Sequence, residues 1–229
     1  IDHDKKNNIA LYSYLPGKKV KNIKISYIYQ AINFIKKINK YKNIKKFKQF
    51  PNASDSCLSI NNHILCVQKR IDQLKKLKAS SPLKAKTARF FAEKILPEWR
   101  KKKIEINKVY KNNLEKKFST EELIISPSDF GFNNIIKKSK NLFFVDFEYA
   151  GWDDPAKLIC DFICQPDSKI KGDYKKMFIY NLAAISPNKD KVIQRVKNLL
   201  PLHQIKWCCV LLNEFIKDNQ NRRRHAGFL

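Results

Sequence analysis

Residues 126–161, with the sequence SPSDFGFNNIIKKSKNLFFVDFEYAGWDDPAKLICD, decide the fold of this chain. The segment carries two short acidic motifs. In the first, Asp129 is followed five residues later by Asn134. In the second, an apolar run rich in aromatic and β-branched residues leads into Asp146 and Glu148, which predicts a buried strand that ends in carboxylates.

A hairpin is predicted between these two motifs. Residues 135–136 form a short apolar strand, residues 137–141 form a polar turn, and residues 142–148 form the returning strand. Such a hairpin brings the first Asp, the Asn and the second Asp to one end. Because carboxylate and amide oxygens are the ligands of hard cations, the sequence predicts a site for an ion such as Mg²⁺, with one carboxylate to spare.

The order of these motifs resembles the catalytic half of the aminoglycoside phosphotransferase and choline kinase family. The matching elements are D-x-x-x-x-N, a strand ending in D-F-E, the run G-W-D-D-P and a downstream Asp. These small-molecule kinases are related in fold to protein kinases, which carry a similar D-x-x-x-x-N loop. The resemblance implies that Asp129 orients and deprotonates the acceptor hydroxyl. It also implies that Asn134 and Asp146 hold Mg²⁺ on the phosphates of ATP.

Three further acids gain a role from the resemblance. Asp154 is expected to brace the catalytic region just after the metal-binding strand. Asp161 is expected to hydrogen-bond the backbone of the catalytic loop from a helix, so that both residues support the site structurally. Glu148 is either a second metal contact or a hydrogen-bonding residue, and the sequence leaves both roles open.

The chain departs from the family pattern at two places in the loop. A His two residues before the catalytic Asp is replaced by Pro127, and the His-Pro pair inside the loop is replaced by Gly131 and Phe132. In the family, that His supports the loop by packing. We therefore expect its replacement to affect the geometry of the loop more than its chemistry.

A nucleotide hinge is predicted near the start of the chain. Residues 9–15 predict a strand that is halted by Pro16 and Gly17. A strand followed by L-P-G resembles the last strand and hinge between the two kinase lobes, where main-chain groups receive the adenine edge. By this resemblance, the hinge residues are Ser13, Tyr14 and Leu15, acting through main chain. The alternative is an ordinary edge strand and turn.

The hinge divides the chain into two predicted parts. Residues 1–17 are the remnant strand and hinge of an N-terminal lobe, and residues 18–229 are a helical C-terminal lobe that carries the catalytic and acceptor-binding groups. The chain begins without Met and has no G-x-G-x-x-G loop, so we expect the N-terminal lobe to be largely absent from it. The predicted fold class is α+β, mostly helical, with a small catalytic β-hairpin.

Apolar residues recur at helical spacing through most of the remaining chain. Pro97 is expected to end or kink one helix, and Pro201 is expected to separate two others. His63 lies on a predicted helix and is expected to be packed or solvated and not a metal ligand. The predicted helices cover residues 20–40, 57–77, 82–97, 101–117, 174–185, 190–200 and 202–217.

The composition limits the class of protein. The net charge of +26 suggests nucleic-acid binding, but only seven of the 47 basic residues are Arg, and their one cluster is 222–224. Nucleic-acid binders more often concentrate Arg and aromatic residues in one stripe, so specific binding is not favoured. A hydrophobic content of 43% excludes a disordered chain, and the absence of a long apolar run predicts no membrane span. Six Cys without a zinc-ligand spacing favour the cytoplasm.

The sequence therefore predicts an ATP-dependent phosphotransferase that uses Mg²⁺. Its partners are ATP and a small hydroxylated acceptor of the amino-alcohol, sugar or aminoglycoside type, and the shortage of unassigned acids argues against a polycationic aminoglycoside. By itself, the 229-residue chain is expected to bind MgATP weakly or not at all and to be inactive. The alternative is a non-catalytic kinase-like binding or scaffold module lacking the N-terminal lobe, and a basic nucleic-acid module is the third hypothesis.

Overall fold

The computed structural model describes residues 2–4, 6–7, 9–45, 49–166 and 170–216. The helices are α1 (Ile25–Asn39), α2 (Ile60–Leu74), α3 (Pro82–Phe90), α4 (Leu96–Tyr110), α5 (Pro155–Cys164), α6 (Gly172–Ala183) and α7 (Lys189–Leu212). The strands are β1 (Asp2–Asp4), β2 (Ile9–Leu11), β3 (Lys18–Lys19), β4 (Ile124–Ser126), β5 (Ile135–Lys138), β6 (Asn141–Phe144) and β7 (Gly151–Asp153). The prediction of a mostly helical chain with few strands is confirmed. The Arg cluster 222–224 lies outside the described residues.

The predicted hairpin is present as β5 and β6. These strands pair antiparallel, with Ile135 opposite Phe144 and Lys138 opposite Asn141. The turn is shorter than predicted, because only Ser139 and Lys140 remain outside the strands, and Ser139 adopts a left-handed φ of 55°.

A third strand that the sequence analysis missed joins this hairpin. β3 pairs with β5, which gives the sheet order β3-β5-β6 and fixes the predicted hinge beside the hairpin. Gly17 makes this approach possible, since a Cβ at that position would overlap the Ile136 side chain and the Lys137 carbonyl.

A second pairing joins the two ends of the catalytic segment. β4 and β7 pair antiparallel, with Ile125 opposite Trp152 and Ser126 opposite Gly151. The catalytic loop and the hairpin therefore lie between two strands that pair with each other. This pairing holds both ends of residues 127–150 together at one end of the helical body.

α5 forms the centre of the core. All of its residues from Pro155 to Ile163 are buried, and it packs against α6 and α7. An aromatic stack runs through it: Phe130 stacks on Phe162 at 5.5 Å, and Phe162 stacks on Phe178 of α6 at 3.9 Å between ring centroids. Because Phe130 adjoins Asp129, the core reaches the catalytic loop directly.

Three predicted helix starts are wrong by several residues. α1 begins at Ile25 and not at residue 20, α2 begins at Ile60 and not at residue 57, and α4 begins at Leu96 and not at residue 101. Ser59 caps α2, because its hydroxyl accepts from the Asn62 N–H at 3.2 Å. Leu65 of α2 is 52% exposed.

Proline does not end the helices as predicted. α3, a π-helical turn (Phe91–Ile95) and α4 follow one another without a gap, so the helix continues through Pro97, which lies just after the π-helical turn. α7 runs through Pro201 without a break. Its buried neighbours Leu199 and Leu202 pack into the core on either side, and this packing outweighs the lost hydrogen bond.

Leu211, near the C-terminal end of α7, is 55% exposed. Among the described residues, no helix combines the length and the apolar character needed to cross a membrane.

Candidate active site

The catalytic loop begins with a strained residue. Ser128, directly before Asp129, has a φ of 68°, in the left-handed region that non-glycine residues rarely adopt. Two hydrogen bonds hold it there: its N–H donates to Ser126 Oγ at 3.1 Å, and its hydroxyl donates to the Ser54 carbonyl at 3.0 Å. Strain that is held in place in this way is typical of functional loops.

Asp129 and Asn134 are in direct contact, as their spacing predicted. Asn134 Nδ2 donates to Asp129 Oδ2 at 3.0 Å and to the Asp129 carbonyl at 3.0 Å. This arrangement turns Asn134 Oδ1 away from the carboxylate. That oxygen accepts from Asn133 Nδ2 at 3.1 Å and keeps a second lone pair for another ligand.

Asp146 leaves the hairpin beside this pair. β6 ends at Phe144, earlier than predicted, and the Val145 N–H donates to the Asn134 carbonyl at 3.1 Å. Asp146 itself is exposed and adopts a left-handed φ of 68°. The strand cannot continue through a residue in this conformation, and the change of direction turns the next residues away from β6.

The hydroxyl of Tyr149 lies near three of the acidic residues of the site. Its pKa is raised, first by its hydrogen bond with Glu148 and the charge of that carboxylate, and further by the charges of Asp146 and Asp129. Since all three carboxylates act on one hydroxyl, they lie on the same side of the molecule. The hydrogen bond with Tyr149 is one of the two roles that the sequence left open for Glu148.

The donor set suits a hard cation. The amide oxygen of Asn134 and the carboxylates of Asp146 and Glu148 are oxygen ligands of the kind that Mg²⁺ prefers. Within residues 2–216 as described, no group of three or more His, Cys, Asp or Glu side chains is arranged to hold a metal. The candidate ligands are not a group of this kind, because they comprise two carboxylates and the amide oxygen of Asn134.

The predicted hinge is an extended, accessible segment. β2 ends at Leu11, so the predicted strand is too long, and Ser13 and Tyr14 are exposed while Leu15 is half-buried. In the described part of the chain, the main-chain groups of these three residues bond to no other residue. Their N–H and C=O groups are therefore available to a ligand.

Asp154 is fully buried and supports α5. Its Oδ1 accepts from the Ala156 N–H at 3.1 Å and thereby caps the helix, and it accepts from Arg195 at 2.9 Å. Its Oδ2 lies 3.1 Å from His63 Nε2. Burial raises the pKa of Asp154, but the His63 hydrogen bond and the Arg195 charge outweigh it and leave the pKa lowered.

Asp161 has different partners from those predicted. It accepts from Lys206 Nζ at 2.6 and 2.7 Å and from Trp207 Nε1 at 3.0 Å, and His203 Nδ1 lies 3.1 Å away. These side chains belong to α7 and not to the catalytic loop. Although burial raises the pKa of Asp161, these groups, Lys206 foremost, hold it well below its usual range. Asp161 thus ties α5 to α7.

A row of two histidines joins the two buried carboxylates. His63 Nδ1 lies 3.0 Å from His203 Nε2, and the outer ring nitrogens face Asp154 and Asp161. Three such contacts need three hydrogens, whereas two neutral imidazoles supply two. Burial lowers the pKa of His203 to about 4, so this imidazole is neutral at pH 7. His63 is packed, as predicted, and neither imidazole has a free nitrogen.

The row makes the fold sensitive to acid. Unfolded His203 takes up a proton near the ordinary pKa of 6.5. In the folded protein, burial, with the Lys206 and His63 charges, outweighs the Asp161 carboxylate and lowers the pKa to about 4. The unfolded state therefore binds more protons between these values, and the free energy of unfolding should fall by about 3 kcal/mol as the pH drops through this window. Urea denaturation between pH 7 and pH 4 measures the fall. His203→Gln should flatten it, and an unchanged slope in that variant would contradict the assignment.

Several residues of the site region escaped the sequence analysis. Gln165 donates to Asp129 Oδ1 at 3.3 Å, and Lys157 pairs with Asp153 at 2.9 Å inside the core. Arg195 joins Asp154 from a helix that begins 35 residues later in the chain than Asp154. The one available signal was Gly131, since a glycine in place of the expected His predicts space that another side chain must fill.

Comparison with known proteins identifies the fold. No protein-family model matches the chain, and no curated protein matches its sequence. Among solved structures, a spectinomycin phosphotransferase in complex with ADP and spectinomycin superposes with a TM-score of 0.61 at 12% identity. That match covers 94% of this chain and 63% of the phosphotransferase.

Two further structures agree. The Plasmodium vivax ethanolamine kinase has a TM-score of 0.54 at 15% identity over 93% of this chain and 62% of its own. A Cryptosporidium parvum choline kinase has a TM-score of 0.51 at 14% identity over 93% and 67%. The chain has the fold of these small-molecule kinases. The resemblance predicted from the motifs is confirmed at the level of fold, and the chain spans less than two thirds of the first two kinases.

Proposed function

We propose that this small-molecule-kinase fold is an ATP-dependent phosphotransferase. It moves the γ-phosphoryl group of ATP to a hydroxyl group of a small molecule. The observation that carries the proposal is the contact between Asp129 and Asn134. The two residues lie in a strained loop next to Asp146, in a chain that has the fold of small-molecule kinases. The residue types match the task, since phosphoryl transfer requires a positioned nucleophile and neutralised phosphate charge.

Asp129 is the proposed base. Each of its oxygens accepts one hydrogen bond within the protein, which leaves further lone pairs for an acceptor hydroxyl. The carboxylate orients that hydroxyl and receives its proton as the oxygen attacks phosphorus. A base held from both sides presents one direction to the acceptor, and this favours a single reactive pose.

Asn134 and Asp146 are the proposed ligands of Mg²⁺, and Glu148 is a further candidate beside them. A bound Mg²⁺ neutralises charge on the transferring phosphates. The chain contributes oxygen donors from two elements, the loop and the end of β6, whose spacing is fixed by the Val145–Asn134 hydrogen bond.

The proposal also assigns the residues that bind the nucleotide and the boundaries of the two lobes. Ser13, Tyr14 and Leu15 receive the adenine edge through main chain, residues 1–17 form the strand and hinge, and residues 18–229 form the catalytic lobe. The ADP bound in the spectinomycin phosphotransferase supports a nucleotide ligand for this fold. The free thiols of the chain favour the cytoplasm.

The acceptor is an amino-alcohol, sugar or aminoglycoside. The names of the neighbours, which include an ethanolamine kinase and a choline kinase, support a small hydroxylated acceptor. ATP consumption by the full-length gene product, measured against a panel of such compounds, tests the proposal. Failure of every acceptor to raise ATP consumption above the Mg²⁺-free control counts against it.

Replacing Asp146 tests the metal assignment. Asp146→Asn should weaken MgATP binding and turnover together, each by at least about tenfold, as is typical when partners of a metal site are removed. Calorimetry with MgATP and steady-state kinetics, both on the full-length gene product, measure the two effects. Asp173→Asn, an exposed acid in the first turn of α6, is the control and should change neither. Unchanged MgATP affinity in the Asp146 variant would exclude it as a ligand.

A further inference from the structure

Gln165 lies directly after α5 and reaches the proposed base. Its side-chain Nε2 donates to Asp129 Oδ1 at 3.3 Å, and the residue is only 5% exposed. Its Oε1 is buried without a hydrogen-bond partner in the described part of the chain. The amide cannot turn round, because Oε1 would then face the carboxylate. A buried acceptor left unpaired costs stability, so the contact with Asp129 is made at the expense of the other amide atom.

Gly131 provides the space for this amide. The φ of Gly131 is −165°, an extended conformation that any residue adopts, so no backbone strain requires glycine here. Space requires it, since a Cβ at Gly131 would overlap the oxygen, carbon and nitrogen of the Gln165 amide. The departure from the family loop at Gly131 and the position of Gln165 are therefore two parts of one arrangement.

The base of the Gln165 side chain is held firmly. Its backbone N–H donates to the Asp161 carbonyl at 3.1 Å, one turn earlier on α5. Asp161 in turn is bound to Lys206 and Trp207 of α7. The amide therefore extends from the most buried helix of the chain, whereas Asn134 lies on the loop itself.

We propose that Gln165 is a positioning residue for Asp129. Its amide holds Oδ1 while Asn134 holds Oδ2, and together the two donors fix the plane of the carboxylate. With Asn134 alone, the carboxylate can rotate about its Cβ–Cγ bond and lose alignment with the acceptor hydroxyl. This inference rests on the proposed function, because it assigns Gln165 to the reaction of Asp129.

A cycle of substitutions at the two positions tests the arrangement. In the full-length gene product, Gln165→Ala should lower kcat by about tenfold to a hundredfold, with the KM for ATP unchanged. Gly131→Ala should lower kcat similarly, because its methyl group displaces the amide. The double variant Gly131→Ala/Gln165→Ala removes the overlap, so it should melt at a higher temperature than Gly131→Ala and should have a kcat no lower than that of Gln165→Ala. Additive losses, or a Gln165→Ala kcat equal to that of the wild type, would overturn the proposal.

A second measurement does not depend on turnover. In ¹⁵N-labelled protein, the side-chain NH₂ resonances of Gln165, identified by their loss in Gln165→Ala, should shift in Asp129→Asn and stay unchanged in Asp173→Asn. If the chemical shifts of the Gln165 NH₂ group are unchanged in Asp129→Asn, the amide does not hold the carboxylate. The two failures differ in pattern. If Asp129→Asn leaves ATP consumption unchanged, the proposed function fails; if it lowers consumption while Gln165→Ala does not, only the positioning role fails.

Discussion

Asp129→Asn is expected to lower turnover by about 10²- to 10⁴-fold in the full-length gene product, the range typical of general-base loss. The amide that replaces the carboxylate keeps one accepting oxygen, so it can accept from Asn134 or from Gln165 but not from both. It also cannot take the proton of an acceptor hydroxyl. Because Asp129 is not a proposed phosphate or metal ligand, the affinity for ATP should change little. Steady-state kinetics with the acceptor found by screening, together with calorimetric titration of ATP, measure both quantities.

The same substitution separates a catalyst from a binding module. Asp173→Asn removes an equal charge from an exposed position and should leave kcat unchanged. An Asp129 variant that retained wild-type turnover would leave a kinase-like scaffold as the better description. A loss of ATP affinity as large as the loss of turnover would instead place Asp129 among the nucleotide contacts.

The largest expected effect on stability belongs to Asp161. Asp161→Asn leaves the buried Lys206 ammonium without its carboxylate, and removing one partner of a buried ion pair typically costs about 3–5 kcal/mol. Trp207 and His203 also lose part of their acceptor. Urea denaturation at pH 7, followed by circular dichroism, gives the free energy of unfolding.

Asp72 provides the matched control for this experiment. It pairs with Lys75 at 2.8 Å, a distance close to that of the buried pair, but both side chains are about half exposed. Asp72→Asn should therefore cost less than about 1 kcal/mol. Equal losses in the two variants would mean that burial does not decide the strength of the Asp161 contacts.

The local part of the site could be predicted from the sequence. Residues 135–144 consist of two apolar runs separated by a polar turn, as in an antiparallel hairpin, and two short strands joined by a tight turn fix their own register. A D-x-x-x-x-N spacing then places Asn134 within reach of Asp129, because a single turn separates them. Both features depend on residues close together in the chain, and local pattern carries that information.

The supports of the site could not be predicted in the same way. His63 and His203 meet across 140 residues, and Lys206 reaches Asp161 across 45. A single polar residue within an apolar helix does not indicate which distant residue is its partner. For the same reason the motif resemblance assigned Asp161 to the loop backbone, whereas tertiary packing gives it to α7.

The burial of α5 on all sides has a consequence for how this chain can diverge. Nearly every side chain from Pro155 to Ile163 fills space against α6, α7 or the β4 region, so a change of size at one position leaves a gap or an overlap. Accepted changes in this helix should therefore come as compensating pairs, one in α5 and one in a facing element. Exposed positions such as Leu65 and Leu211 can vary one at a time. The fold can then persist through extensive sequence change while its central helix evolves only in step with its neighbours.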